Sequence, residues 1–229
     1  MDASPSARAA GLPLLLDRIR QMDPEIHAWV VVNPQQPTGG GALSGIPFGV
    51  KDVIETKGLT TEFGSPVYKG RMSTDDAAIV CELRMRGGVV LGKTHTAAFA
   101  YRRPPPTRNP RNLEHTPGGS SSGSAAAVAA GMVPLAIGTQ TGGSTVRPAS
   151  FCGVTGFKPT YGFIPTDGVI EYSKSLDTIG FFTHTAADML AFWEAAGMPT
   201  GQTETVAVAA PDPMPEVDAP MASAFSRTR

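Results

Sequence analysis

The residues that could do chemistry are concentrated between Gly118 and Pro148. The stretch opens with Gly118-Gly119-Ser120-Ser121-Ser122-Gly123-Ser124. A second turn follows, Gly138-Thr139-Gln140-Thr141-Gly142-Gly143-Ser144. Glycines ahead of a serine let the backbone turn sharply and leave its N–H groups unobstructed. A serine nucleophile with an oxyanion hole requires both. A GGSSSGS run on its own would read as a flexible linker. Linkers end in polar sequence, whereas this run leads directly into small apolar residues, a strand and a second Gly-Gly-Ser.

The elements that must hold these turns can be read from periodicity and punctuation. Residues 124–130 are small, apolar and helix-forming, with Ser121, Ser122 and Ser124 expected to cap the first turn. Gly131 suits the left-handed position that stops a helix. Met132 to Ile137 has strand length and strand composition. Upstream, Leu14 to Met22 reads as a short helix, and Ile26 to Val32 as a strand. Ile46 to Ile54 reads as a strand interrupted by Lys51-Asp52. A lysine in such a run usually snorkels to solvent or pairs with a carboxylate. Asp52 would face the opposite side of the strand and is not its obvious partner.

Ser73-Thr74-Asp75-Asp76 is expected to open a helix that buries Ile79, Val80 and Leu83, with Gly87 stopping it. Val89-Val90-Leu91 is then a buried strand, a succession that suggests parallel α/β units. Further on, Phe157 to Gly168 reads as a loop. Thr183-His184-Thr185 caps a helix from Ala186 to Ala196, and Gly197 ends it. Thr205 to Ala209 reads as one more strand, and Asp218 to Phe225 as the start of another helix.

Several patterns carry other implications. Gly87 to Thr94 satisfies the P-loop pattern G-x-x-x-x-G-K-[ST], but its spacer is strand sequence and no convincing first helix follows, which argues against nucleotide binding. Tyr101 to Arg111 carries four arginines and four prolines and is read as an ordered extended loop. His95, His115 and His184 are single histidines without metal-site spacing, so neither a metal nor another cofactor is expected. Cys81 and Cys152 are the two cysteines, without a CxxC, which suits a reducing compartment. Phe151 beside Cys152 favours an inert buried thiol. A chain of 229 residues with 41% hydrophobic residues and a formal charge of −1 can bury a core. It offers no electrostatic case for nucleic acid or an anionic membrane. No run approaches the about 18 apolar residues of a membrane span, and a cytoplasmic protein is expected.

The two turns resemble the amidase signature of the Ser–Ser–Lys amidohydrolases. The match continues through Arg147-Pro148, Phe151-Cys152-Gly153 and Gly156-Phe157-Lys158-Pro159-Thr160. Upstream, Gly45-Ile46-Pro47-Phe48-Gly49-Val50-Lys51-Asp52 is similar to that family's lysine motif. The resemblance implies an α/β fold, a mixed β-sheet sandwiched between helices. Residues 45–197 would form the core of a single domain covering 1–229. Family members are considerably longer, so the C-terminal part of the fold is expected to be missing, with 198–229 as its start.

The resemblance also assigns roles. Ser144 would be the nucleophile, Ser120 the bridging serine after a cis peptide, and Lys51 the terminal base. The 24-residue separation of the two serines fits the family's spacing. Backbone N–H groups of Thr141, Gly142, Gly143 and Ser144 would form the oxyanion hole. Arg147, three residues past the nucleophile, matches an arginine that binds a substrate carboxylate in malonamidase-like members, and a purely structural arginine is the equal alternative. Gln140 stands where many members have aspartate. Thr96-Ala97-Ala98-Phe99 lacks the acidic residue usual before that phenylalanine. The implied activity is hydrolysis of a small carboxamide, with a small-molecule amide as partner and a homodimer left open. Two alternatives remain: an inactive or partner-dependent shortened amidase, and the amide-hydrolysing glutaminase component of a transamidation complex.

Overall fold

The computed structural model describes residues 11–199. Six strands form one mixed sheet, with five α-helices on its two faces. In chain order these are α1 (Leu12–Ile26), β1 (Trp29–Gln35), β2 (Pro47–Lys51), α2 (Ala78–Met85), β3 (Val89–Thr94) and α3 (Ser122–Ala129). There follow β4 (Leu135–Gln140), α4 (Val146–Cys152), β5 (Thr155–Phe157), β6 (Thr178–Thr183) and α5 (Ala186–Ala195). The strand order is β1-β3-β2-β4-β6-β5. β2 runs parallel to β3 and to β4, and the outer pairings are antiparallel. The parallel β2–α2–β3 unit is the one that the helix-then-aliphatic-strand succession predicts.

Alternation along the strands builds two cores. Phe48, Val50, Val90, Leu135, Ile137, Ile179 and Phe181 point to one face, where α2 adds Ile79, Val80 and Leu83 and α5 adds Met189 and Phe192. Leu91, Ala136 and Phe182 point to the other, covered by Ile19 and Ile26 of α1, the alanines of α3, and Ala149 and Cys152 of α4. A phenylalanine buried as fully as Phe181, Phe182 or Phe192 contributes on the order of 2 to 3 kcal/mol. Helix α3 has no polar side: residues 122–128 are all buried. Only small side chains fit it. A Cβ on Gly123 would lie 2.2 Å from the Ala28 carbonyl oxygen and 2.4 Å from the His95 backbone nitrogen.

Several expectations need correction. Helix α1 extends past Met22, because Ile26 joins Ile19 on its buried face and His27, at φ 54°, closes the helix through its N–H to the Asp23 carbonyl. The first strand therefore starts at Trp29 rather than Ile26. The second is shorter than Ile46 to Ile54, since Asp52 and Val53 turn away at its end. The Ser73–Asp76 segment does not cap α2, which starts at Ala78 without a side-chain cap. Asp76 is taken by Arg84 at 2.8 Å and by the Lys57 N–H, and Ser73 bonds the Thr61 hydroxyl. Strand β4 is shifted towards Gln140, so residues 138–140 belong to the sheet and only 141–144 form the turn. Helix α4 and strands β5 and β6 have no counterpart in the periodicity of the sequence, and Phe157 is in β5 rather than a loop. The helix at Ala186 starts as expected: Thr185 and Asp188 form a reciprocal capping box. The strand expected at Thr205 and the helix expected at Asp218 lie outside the described residues.

The P-loop-like run has a structural account. Gly87, at φ 95°, sits in the left-handed region just past the end of α2. A Cβ on Gly92 would lie 2.1 Å from the Val31 carbonyl, so glycine lets β1 approach β3. Lys93 is fully buried, 3.7 Å from Asp52, and donates to the Ile54 carbonyl and the Thr61 hydroxyl. A phosphate has no access to that lysine.

Candidate active site

Strand β2 is followed by a crossover to β3 on one side, while β4 lies on its other side. Such a switch point opens a crevice at the carboxyl ends of the parallel strands. Lys51 is the last residue of β2, and the register Val50 to Ile137 brings it beside the end of β4. Its side chain is fully buried. The amine nitrogen Nζ donates to Ser120 Oγ at 2.8 Å and to Thr139 Oγ1 at 2.7 Å. Burial pushes the lysine down to about 7, opposed in part by the charge of Asp177. Asp52, its sequence neighbour, turns towards Lys93, and Lys51 has no directly paired carboxylate among the described residues. A lysine in that setting is neutral in a large share of molecules at neutral pH.

Ser120 follows a cis peptide bond from Gly119 and lies just ahead of α3. Its carbonyl accepts the Ala97 N–H at 3.0 Å. The serines after it do not cap the helix. Ser121 Oγ donates to the Thr139 carbonyl and accepts the Thr139 N–H, Ser122 Oγ donates to the Gly118 carbonyl, and Ser124 Oγ donates to the Ile137 carbonyl. The capping expectation fails because α3 begins against the edge of β4. The Ser121 and Ser124 hydroxyls tie the helix to that strand, and the Ser122 hydroxyl closes back on Gly118. The Ser121 N–H donates to the Ser144 carbonyl at 3.3 Å, which joins the two glycine-rich turns.

Ser144 is 7% exposed at the end of the second turn. Its hydroxyl makes no hydrogen bond among the described residues. Lys51 and Ser120 are thus in direct contact, and Ser144 is linked to the first turn by backbone rather than by a closed side-chain bond. Catalytic hydrogen bonds commonly tighten only when substrate arrives. Gly142 has no heavy atom within 4 Å of where a Cβ would sit, so the turn is uncovered there. Thr141 Oγ1 donates to Asp177 Oδ1 at 2.5 Å. Gln140 Oε1 accepts the N–H groups of Thr145 and Val146 at 2.8 and 3.0 Å, closing the start of α4 from a distance.

Arg147 is exposed, and its Nε donates to the Gly119 carbonyl at 3.0 Å. The rest of its guanidinium has no partner among the described residues. It lines a cavity of about 340 Å3 with Gly118, Gly119, Ser122, Tyr101 and Arg102. Cys152 is buried in the core, and its thiol is pushed up to about 12 by burial. His95 is half-buried and drawn down to about 4 by burial. Among the described residues no group of three or more His, Cys, Asp and Glu is arranged to hold a metal ion. No described helix is long and apolar enough to cross a membrane.

Motif and periodicity do not single out Thr139, Asp177 or the clamping role of Gln140. Thr139 and Gln140 lie inside the second motif, but only the β2–β4 pairing shows that Thr139 meets Lys51. Asp177 is 33 residues past Ser144 and joins the site only because β6 pairs with β4.

The chain belongs to the Amidase family, whose model matches residues 13–227. The A subunit of glutamyl-tRNA(Gln) amidotransferase from Chromohalobacter salexigens is 40% identical, over 90% of this chain and 47% of that protein. Among solved structures, the A subunit of the same amidotransferase from Thermotoga maritima superposes with a TM-score of 0.77 at 38% identity, over 88% of this chain and 45% of that one. The native peptide amidase of Stenotrophomonas maltophilia gives 0.74 at 34% identity, over 86% and 45%. The chain spans about half the length of the relatives it matches.

Proposed function

We propose that this chain carries an amide-hydrolysing site in which Ser144 is the nucleophile, Ser120 the proton relay and Lys51 the base. The observation that carries the reading is the 2.8 Å contact from the fully buried, weakly basic Lys51 to Ser120 Oγ. A serine hydroxyl attacks poorly unless its proton leaves as the bond forms. A neutral amine can take that proton, and a hydroxyl between the two accepts one proton while giving up another. Ser144 Oγ adds to the carbonyl carbon, and its proton passes through Ser120 to Lys51. Backbone N–H groups of Thr141, Gly142, Gly143 and Ser144 meet the oxyanion, each worth about 100- to 1000-fold in turnover. Collapse of the tetrahedral intermediate breaks the C–N bond, and the relayed proton leaves on the amine. Water then cleaves the acyl-enzyme by the reverse sequence.

The free edge of the Arg147 guanidinium, facing a cavity that Arg102 also lines, supports a substrate that carries a carboxylate. Arg147→Ala would then raise KM for carboxylated amides far more than for neutral ones. Equal effects on both would leave Arg147 a structural residue.

A second reading is favoured by the names of the relatives. A glutaminase of the transamidation kind would use the same three residues on glutamine. Ammonia release from a panel of small amides that includes glutamine, by the wild type and by Lys51→Ala, separates the readings. Release from glutamine alone selects the second. No release from any amide, with no Ser144-dependent labelling by a fluorophosphonate, leaves a non-catalytic or partner-dependent chain.

A further inference from the structure

The loop leading into β6 carries a carboxylate that the proton relay does not use. Asp177 divides its two oxygens between two segments. Oδ2 accepts the N–H groups of Tyr172 and Ser173 at 2.6 and 2.8 Å, which folds the loop back on itself. Oδ1 accepts the Thr141 hydroxyl at 2.5 Å. Thr141 is the first residue of the turn that ends in Ser144, and among the described residues no heavy atom comes within 4 Å of where a Cβ on Gly142 would sit. Two adjoining glycines make that turn intrinsically soft. Its near end is tied by Asp177, and beyond its far end Gln140 holds the first amides of α4.

We propose that Asp177 is a positioning residue for this site: its carboxylate, through the Thr141 hydroxyl, fixes the turn whose N–H groups would receive the oxyanion. This inference rests on the amide-hydrolysing reading and adds a residue to it. A carboxylate that accepts three hydrogen bonds is a rigid anchor, and charge-assisted bonds of this kind are about twice as strong as neutral ones. A donor that must stand within about 3 Å of a developing charge gains from such an anchor, because misplacement by about one ångström costs rate. The same carboxylate acts by its charge on Lys51. Asp167, Glu171, Lys174 and Tyr161 line a cavity together with Asp177 and are the other titratable groups of that lining.

The test compares the full chain with Asp177→Asn, Thr141→Val, Thr141→Ser and the Asp177→Asn/Thr141→Val double variant. The first readout is the rate constant for fluorophosphonate labelling of Ser144 across pH. The second is the titration of the Lys51 13Cε resonance in [13C]lysine-labelled protein, assigned against Lys51→Met. Asp177→Asn and Thr141→Val should each slow labelling by about 10-fold, a fraction of the loss of a whole oxyanion donor. Thr141→Ser should restore it, and the double variant should be no slower than either single one. Asp177→Asn alone should lower the midpoint of Lys51. Wild-type labelling rates in both single variants, or losses that multiply in the double variant, would overturn the proposal. A wild type that is labelled no more than Ser144→Ala would instead remove the hydrolase reading beneath it.

Discussion

Thr139 Oγ1 lies 2.7 Å from Lys51 Nζ, a contact as short as the one the lysine makes with Ser120. The lysine is therefore held between two hydroxyls on neighbouring structural elements, β4 and the first glycine turn. Thr139 takes one N–H and directs the rest of the amine at Ser120. Thr139→Val keeps the shape and removes the acceptor. It should lower kcat by about 10-fold, within the range general-base catalysis contributes, and move the acid limb of the pH profile down. Thr139→Ser should recover both. Steady-state kinetics on the best amide substrate checks this. A Val variant with wild-type kcat and pH profile would remove Thr139 from the base's environment.

The pH dependence follows from Lys51 itself. In the proposed mechanism its neutral form is the base, and burial lowers it to about 7. Turnover should rise with pH through 7 and fall about tenfold per unit below it. The stability effect has a definite sign. The amine is depressed in the fold relative to its ordinary 10.5, so the cost of burying its charge is complete below about 7 and shrinks as pH rises towards 10.5. Lys51→Met should therefore stabilise the protein, more at pH 6 than at pH 9, while abolishing turnover. Urea melts at the two pH values measure this, and an equal gain at both would contradict it.

Asp52, the residue after Lys51, forms a buried pair with Lys93. Lys93→Met should cost about 3 to 5 kcal/mol at pH 8, because it leaves a buried carboxylate unpaired. Burial pushes Asp52 up to about 6, so at pH 5 the orphaned group is neutral and the cost should be smaller. Asp52→Asn in the same chain should recover much of the loss at pH 8. Chemical denaturation of the three variants at both pH values provides the check.

What was legible in the sequence was whatever depends on local punctuation. Gly131 and Gly197 mark the ends of α3 and α5, and Thr185 caps α5 as its type and place suggest. The parallel β2–α2–β3 unit follows from a helix pattern succeeded by an aliphatic strand. The lysine and the two glycine turns were found by motif, and the fold brings Lys51 to Ser120. What stayed hidden depends on contacts between distant segments. Ser121, Ser122 and Ser124 are capping residue types, yet each bonds a carbonyl outside the helix because β4 and Gly118 lie within reach. Asp76 is an N-terminal acid by position and an ion-pair partner of Arg84 in fact. Strands β5 and β6 carry glycines at Gly156 and Gly180 that hide their strand character. Gly180 is needed because a Cβ there would stand 2.2 Å from the Thr145 hydroxyl.

Gly123 offers a stability test of the packing behind Ser120. Its added methyl would meet the Ala28 carbonyl and the His95 backbone, neither of which can rotate away. Gly123→Ala should destabilise by about 1 to 3 kcal/mol despite raising helix propensity. It should also slow labelling of Ser144. An exposed-site control, Leu190→Ala on α5, should leave labelling unchanged. Thermal melts and labelling rates together decide whether the helix or the turn yields first.

The alanine helix α3 has a consequence for how such a protein can diversify. Its residues 122–128 are all buried, so larger side chains have little room along most of it, and Ser122 alone among them borders the cavity that Arg147 lines. On the proposed reading, substrate choice can vary most freely at the proline-rich 101–117 segment and the 161–177 loop, whose residues line open cavities. On that reading the reacting groups are fixed in the interior, while selectivity can drift at the surface.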